Sequence, residues 1–288
     1  MPKNKSLVRQ VQETINKKLR IGESKYSAKQ EGVSREGVYS WNTYKCYLAK
    51  GCAFVKWAKE HHDCHTLAGA RAYVDAYLQM HINKGYSPST QSTIASALAK
   101  LYGCTKKDFI QTETRRRANF VRSRKGKAKA RFSEERNREF VDFCKATGLR
   151  RHEFPNLKPE NLDYDDVTKQ YMIVNLKGKG GRLRDCPILS RKAVERIMNT
   201  PAGQKVWPKI PTNPDIHSYR ADYCKTLYNL HARPLAEIPK DERYYCRKEL
   251  KGIVYDKRAM LVASHALGHN RINIIASNYL YSKTDKTE

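Results

Sequence analysis

No apolar run in the 288-residue chain approaches the length that a bilayer-spanning helix needs, which excludes a membrane protein of the helical kind. A C-x-x-C pair is missing too. Cys46, Cys52, Cys64, Cys104, Cys144, Cys186, Cys224 and Cys246 are scattered, so neither a disulfide framework nor a zinc ribbon is expected. Reduced thiols in a cytoplasm follow. The opening segment, M-P-K-N-K-S-L-V-R-Q, is basic and polar, but Glu13 and the want of an apolar stretch argue against import or secretion, so a cytoplasmic location is expected. Internal repeats are also absent. The scarcest feature is negative charge, since 29 Asp and Glu stand against 56 Lys and Arg and leave a net charge of +27. A polyanion is the natural partner of such an excess, with a solvated basic surface as the alternative. The charge is spread along the chain rather than gathered on one amphipathic anchor, and so fits nucleic acid better than a membrane surface.

What is present begins with length enough for two compact domains, and 40% apolar residues can supply a core for each. The sharpest shift in composition is the run Arg115 to Arg131, where nine of seventeen residues are basic and none is acidic. Residues 113–132 are therefore read as an interdomain linker. Within it, Arg115, Arg116, Arg117, Arg122, Arg124, Lys125, Lys127, Lys129 and Arg131 are suited to neutralise DNA phosphates.

Ahead of the linker, residues 1–112 read as a small helical bundle. Trp41, Tyr44, Leu48, Cys52 and Val55 recur at helical steps behind Ser40. Ala70, Tyr73, Val74, Tyr77 and Leu78 form a second stripe that stops near Gly85. A third helix opens at Ser87-Pro88 and carries Ile94, Leu98 and Leu101 to Gly103. After the linker, residues 133–288 read as a mixed domain. A helix starts at Ser133-Glu134-Glu135 and runs towards Gly148. Tyr171–Leu176 and Arg182–Ile188 flank a glycine-rich turn as a hairpin, and helices dominate from Ser190 onwards. The expected class is α+β, mainly helical, with a small antiparallel sheet in the second domain.

Four segments carry chemistry-bearing residues: T-G-L-R-R-H-E at 147–153, G-K-G-G-R-L-R-D-C-P-I at 178–188, H-S-Y-R at 217–220, and L-G-H at 267–269 followed by Tyr279. In this order they resemble the catalytic domain of the tyrosine recombinases, the phage integrase and Xer-like family. The resemblance covers residues 133–288, and residues 1–112 match loosely as the helical core-binding domain of such enzymes. It implies a site-specific DNA recombinase, the integrase of a phage or mobile element, that cuts and rejoins DNA through a 3′-phosphotyrosine. The implied partners are double-stranded recombination sites clamped between the two domains, a homotetramer on DNA, and accessory DNA-bending proteins. No cofactor is implied. A nicking-closing topoisomerase of the IB-like type and a noncatalytic DNA-binding protein descended from a recombinase are the alternatives.

Elementary chemistry points to the same residues. Breaking a phosphodiester without a metal needs a nucleophile, a proton donor for the leaving oxygen, and fixed positive charge for the transition state. Arg150 and Arg220 can supply that charge, because a guanidinium stays protonated and grips phosphate oxygens as a fork. Glu153, three residues after Arg150, can orient it. His217 lies one helical turn before Arg220 and can move a proton near neutral pH. By resemblance Lys179 protonates the departing 5′ oxygen, with Lys177 two positions away, and His269 donates a hydrogen bond to the phosphate. Two helical positions point in opposed directions, so only one of Tyr279 and Tyr281 can serve as nucleophile, and the resemblance places it at Tyr279 by its distance after His269. A straight helix would also part His269 from Tyr279, so His269-Asn270-Arg271 is read as a turn, with Ile272, Ile275 and Tyr279 on one inward face.

A metal is not expected. His61, His62, Cys64 and His65 crowd one loop and His265 stands four before His269, but no second cluster has finger spacing. The sequence departs from the family in two places. Arg220 and His269 are 49 positions apart, which suggests an insertion near residues 231–258, and nine residues follow Tyr279, which puts the usual exchange of a C-terminal segment between subunits in doubt.

Overall fold

A computed structural model describes residues 5–116, 132–178, 183–269 and 271–280. The chain divides into two compact units, Met1–Asn119 and Phe120–Glu288. The class is α+β and mainly helical, as the sequence implies.

The first unit is built of helices. Helix α1 (Leu7–Asn16), which the sequence reading did not single out, opens where the Ser6 side chain accepts from the Arg9 amide and buries Leu7, Val11 and Ile15 at steps of four. The short α2 (Lys25–Gln30) follows. Helix α3 (Trp41–His62) starts at the Ser40 cap as expected, but its buried face is Gly51, Phe54, Val55 and Ala58. Trp41 at the head of the predicted stripe is 55% exposed. The rest of the stripe does face the core, with Val55 buried and Tyr44, Leu48 and Cys52 packed partly buried against it, and Gly51, where a Cβ would stand 2.8 Å from Val11 Cγ1, lets α1 approach closely. The second predicted helix is broken into α4 (Leu67–Ala70) and α5 (Val74–Asn83) by a 3-10 turn at Arg71–Tyr73. Helix α6 (Pro88–Tyr102) is capped by Ser87, has proline in its first turn, and ends on left-handed Gly103.

In the second unit, α7 (Arg138–Thr147) begins five residues later than Ser133. Residues 134–137 form a turn in which Ser133 Oγ accepts from the Arg136 amide, so Glu139 rather than Glu134 is the acid of the first helical turn. Three antiparallel strands follow in the order β1-β2-β3: β1 (Leu162–Asp165), β2 (Gln170–Lys177) and β3 (Leu183–Pro187). The predicted hairpin is β2-β3. Strand β1 was missed because Asp163 and Tyr164 are exposed and leave little alternation to read. A register shift between Ile173 and Leu176, with Asn175 at positive φ, adds one residue to β2. Both Ile173 and Leu176 therefore face inward despite their odd spacing, opposite Cys186 and Arg184 of β3.

Beyond the sheet lie α8 (Arg191–Met198) and α9 (Ile216–His231), the latter capped by Asp215. Helices dominate beyond the sheet, but residues 232–256 depart from that pattern and form 3-10 turns and a second antiparallel pair, β4 (Arg243–Tyr245) and β5 (Val254–Asp256). Buried Asp256 ties this stretch down by accepting from Arg233 Nε at 2.8 Å and from Arg233 Nη2 at 2.9 Å, while its side chain caps α10 (Lys257–Ala266). The described chain closes with α11 (Asn273–Ile275) running into a π-helical turn, Ala276–Leu280. The core of this unit holds Phe140, Phe154, Leu149, Tyr223 and Met260.

Candidate active site

Most of the site residues lie at or just beyond the ends of helices. Helix α7 stops at Gly148, whose φ of +58° is a left-handed cap. A Cβ on Gly148 would lie 2.8 Å from Tyr223 Cγ, so the chain passes flat against that ring. The turn that follows delivers Arg150 and Glu153. The sequence reading placed these two on one helical face, whereas they meet across a turn: Glu153 Oε2 accepts from the Arg150 amide at 2.7 Å and Oε1 from Arg150 Nη1 at 2.9 Å. Helix α9 presents His217 and Arg220 one turn apart near its start. Helix α10 ends at Leu267, and His269 is fixed by its own amide donating to Ser264 O at 2.8 Å and by Ser264 Oγ donating back to His269 O at 2.9 Å. The π-helical turn carries Tyr279, 4% exposed, beside fully buried Ile275. Ile272 packs partly buried against the same core.

These pieces converge on the Tyr279 hydroxyl. Arg220 Nε donates to it at 3.3 Å, and His269 Nε2 stands 3.2 Å away. The His217 ring centre is 5.6 Å from the tyrosine ring, and that of His269 is 5.7 Å. Arg220 is 2% exposed, and its terminal nitrogens donate to the carbonyls of Gly148 and Leu267. Arg150 Nη2 donates to the same Leu267 carbonyl at 3.0 Å, so one main-chain oxygen orients both guanidiniums.

A third arginine went unnoticed in the sequence. Arg184 of β3 is 6% exposed and pairs with Glu153, which is fully buried, through Nη2 to Oε2 at 2.7 Å and Nε to Oε1 at 3.3 Å. Its alternation with Cys186 on a strand was the one available signal. A charged residue at an inward position reads as an error in the hydrophobic pattern unless its partner is known.

Two guanidiniums, Arg150 and Arg184, thus share the carboxylate of Glu153, while Arg220 meets two carbonyls and the Tyr279 hydroxyl instead. Burial would raise the Glu153 carboxyl, but Arg184 and then Arg150 outweigh it and hold it at about 2. Burial first, and then Arg184, bring Arg220 down to about 10, which leaves it charged at neutral pH. Burial together with Arg220, Arg150, Arg184 and His217 depresses His269 to about 4, so its imidazole is neutral.

Lys179, the linker residues Arg117, Arg122, Arg124, Lys125, Lys127, Lys129 and Arg131, and the rival Tyr281 lie outside the described residues. Arg115 and Arg116 are exposed. Of the expected histidine-rich loop, His61 and His62 instead belong to the last turn of α3, where His61 Nδ1 contacts the Trp57 carbonyl and His62 stacks on Tyr73, while His65 pairs with Asp63. No cluster of three or more metal-ligating side chains occurs among the described residues.

No family model matches the chain, and no curated protein matches it in sequence. Solved structures do match in fold. The XerH site-specific recombinase bound to palindromic difH substrate, in a post-cleavage complex, superposes over 97% of this chain and 92% of its own with 13% identity and a TM-score of 0.55. Its pre-cleavage complex gives 13% identity and a TM-score of 0.49 over 97% of this chain and 93% of its own. The Tn1549 transposon integrase in complex with circular intermediate DNA gives 10% identity and a TM-score of 0.48 over 96% of each chain. The likeness to XerH shows that the resemblance to tyrosine recombinases holds at the level of the fold.

Proposed function

We propose that this chain is a site-specific DNA recombinase of the tyrosine type, forming a 3′-phosphotyrosine on Tyr279. One observation carries the reading. The Arg220 guanidinium is buried with no carboxylate partner among the described residues, and it faces the hydroxyl of Tyr279. A buried unpaired charge is costly, and an anion arriving beside that hydroxyl offsets the cost. A phosphodiester is an anion that a tyrosine can attack, and the fold is that of a recombinase solved on its DNA substrate.

In this reading Arg150 and Arg220 grip the nonbridging oxygens and stabilise the charge that develops on them. Tyr279 Oη attacks phosphorus, and His217 takes its proton. His269, neutral and 3.2 Å from the same hydroxyl, donates to the phosphate oxygen beside it. The 5′ oxygen leaves with a proton from Lys179. The free 5′-hydroxyl of a partner strand then attacks the phosphotyrosine, so the phosphodiester is conserved and no high-energy cofactor enters. Arg115, Arg116 and the rest of the basic run neutralise flanking phosphates. The assembly is a homotetramer on two paired sites, helped by DNA-bending proteins in the cytoplasm of a cell that carries a phage or mobile element.

Supercoiled plasmids with and without the DNA flanking the gene provide the test. A covalent adduct mapped to Tyr279, with recombinants formed only between paired sites, is the expected result. Relaxation of any plasmid without a site makes the protein a nicking-closing topoisomerase. Binding without an adduct makes it a noncatalytic DNA-binding protein.

A further inference from the structure

Arg184 touches none of the reacting groups, yet it joins the segments that hold them. From β3 its Nη2 and Nε grip Glu153, which in turn holds both the main chain and the guanidinium of Arg150. Its Nη1 donates to the Ala266 carbonyl at the end of α10, next to the Leu267 carbonyl that orients Arg150 and Arg220. Its Nη2 also reaches the Gly148 carbonyl at 3.4 Å, an acceptor it shares with Arg220. The side-chain stem lies against the L-G-H turn, where a Cβ on Gly268 would stand 2.8 Å from Arg184 Cδ. Gly268 has a φ of +62°, so the turn is shaped both by its own backbone and by the arginine beneath it.

We propose that Arg184 is a positioning residue, which fixes the T-G-L-R-R-H-E turn and the L-G-H turn to one another so that Arg150, Arg220 and His269 meet at Tyr279. The proposal rests on the reading of this constellation as a DNA-cleaving site. A fork is required, because two carboxylate oxygens and two carbonyls are engaged at once. A lysine brings the charge but a single point of contact. Placement errors near 1 Å cost about a hundredfold in rate, which sets the scale of the effect. A second consequence follows from the charge itself. His269 is faced by Arg150, Arg184, Arg220, His217 and Tyr279, and Arg184 is one of the cations that keep its imidazole neutral.

The test uses the full chain with Arg184→Lys and Arg184→Met. Single-turnover adduct formation should fall by on the order of tenfold to a hundredfold in Arg184→Lys, with duplex binding kept. Histidine NMR titration of the free protein should leave His269 low in Arg184→Lys and move it towards the ordinary value in Arg184→Met. A merely structural role would not produce that split. Should Arg184→Met fail to fold, Arg184→Lys decides alone. An Arg184→Lys protein that melts like wild type and cleaves at the wild-type rate overturns the proposal. If the wild type forms no adduct on Tyr279, the cleavage reading fails instead, and the His269 titration still tests the placement.

Discussion

Arg220 is the residue on which position and charge are hardest to separate, since it is buried, lacks a carboxylate, and meets Tyr279 directly. Arg220→Lys keeps the charge but loses the fork that spans the Gly148 and Leu267 carbonyls and the tyrosine hydroxyl. Duplex affinity should stay near wild type while adduct formation drops by about a hundredfold or more, and Arg150→Lys should behave alike. Binding by anisotropy and single-turnover cleavage measure the two separately, and normal cleavage by both variants defeats the phosphate-clamp reading. His269 and Glu153 make a second prediction, on stability. The folded pKa of His269, about 4, is below its unfolded value of about 6.5, so the folded state binds fewer protons between them. Stability should therefore fall as pH drops from 6.5 towards 4. The Glu153 carboxyl, held at about 2, contributes stability that is complete above its ordinary value near 4.5 and is lost as pH falls towards 2. Both groups make acid destabilising. Urea midpoints between pH 8 and 4 should decline less for His269→Gln than for wild type, and parallel curves would remove His269 from the account.

At the scale of elements, the glycines that end them matter as much as the charged side chains. Gly148→Ala meets two obstacles: a left-handed φ and the Tyr223 ring against its Cβ position. It should cost about 2–4 kcal/mol of stability, read as a lowered melting temperature, and it should displace Arg150 and so slow cleavage beyond what the lost stability explains. A variant that melts and cleaves like wild type would mean the cap relaxes freely. These ends also explain what the sequence made legible. Helices α3 and α6 announced themselves by Ser40 and by Ser87-Pro88 with Gly103, because caps are local chemistry. The positions Arg150, His217, Arg220, His269 and Tyr279 were legible from motif spacing, and the chain brings them to one place. The start of α7 was misread because Glu134 and Glu135 mimic a first turn that Asn137 opens instead. Strand β1 and Arg184 were hidden for a shared reason. Both depend on partners far along the chain, β2 for the strand and Glu153 for the arginine, and no local pattern encodes a partner.

For the whole molecule the governing quantity is the net charge of +27, and its division between chemistry and binding can be measured. The site uses few of the cations: Arg150, Arg184 and Arg220 are spent around one carboxylate and a set of carbonyls. Many others are exposed, among them Arg115 and Arg116 at the edge of the basic run where the two units divide. If those exposed cations meet phosphates, each contact releases a counterion, and log affinity falls with log salt at a slope of about −0.9 per phosphate neutralised. With about six to ten contacts, raising salt from 50 to 200 mM should weaken duplex binding by roughly a thousandfold or more. Replacing Arg115 and Arg116 together by Gln should flatten the slope by up to about two units and weaken binding to all sequences alike. Arg220→Lys should leave the slope unchanged, since its charge is kept. Anisotropy titrations of a short duplex across a potassium chloride series give all three slopes. A flat wild-type response would show that the basic surface is solvated rather than bound to DNA, and would leave the +27 without its polyanion.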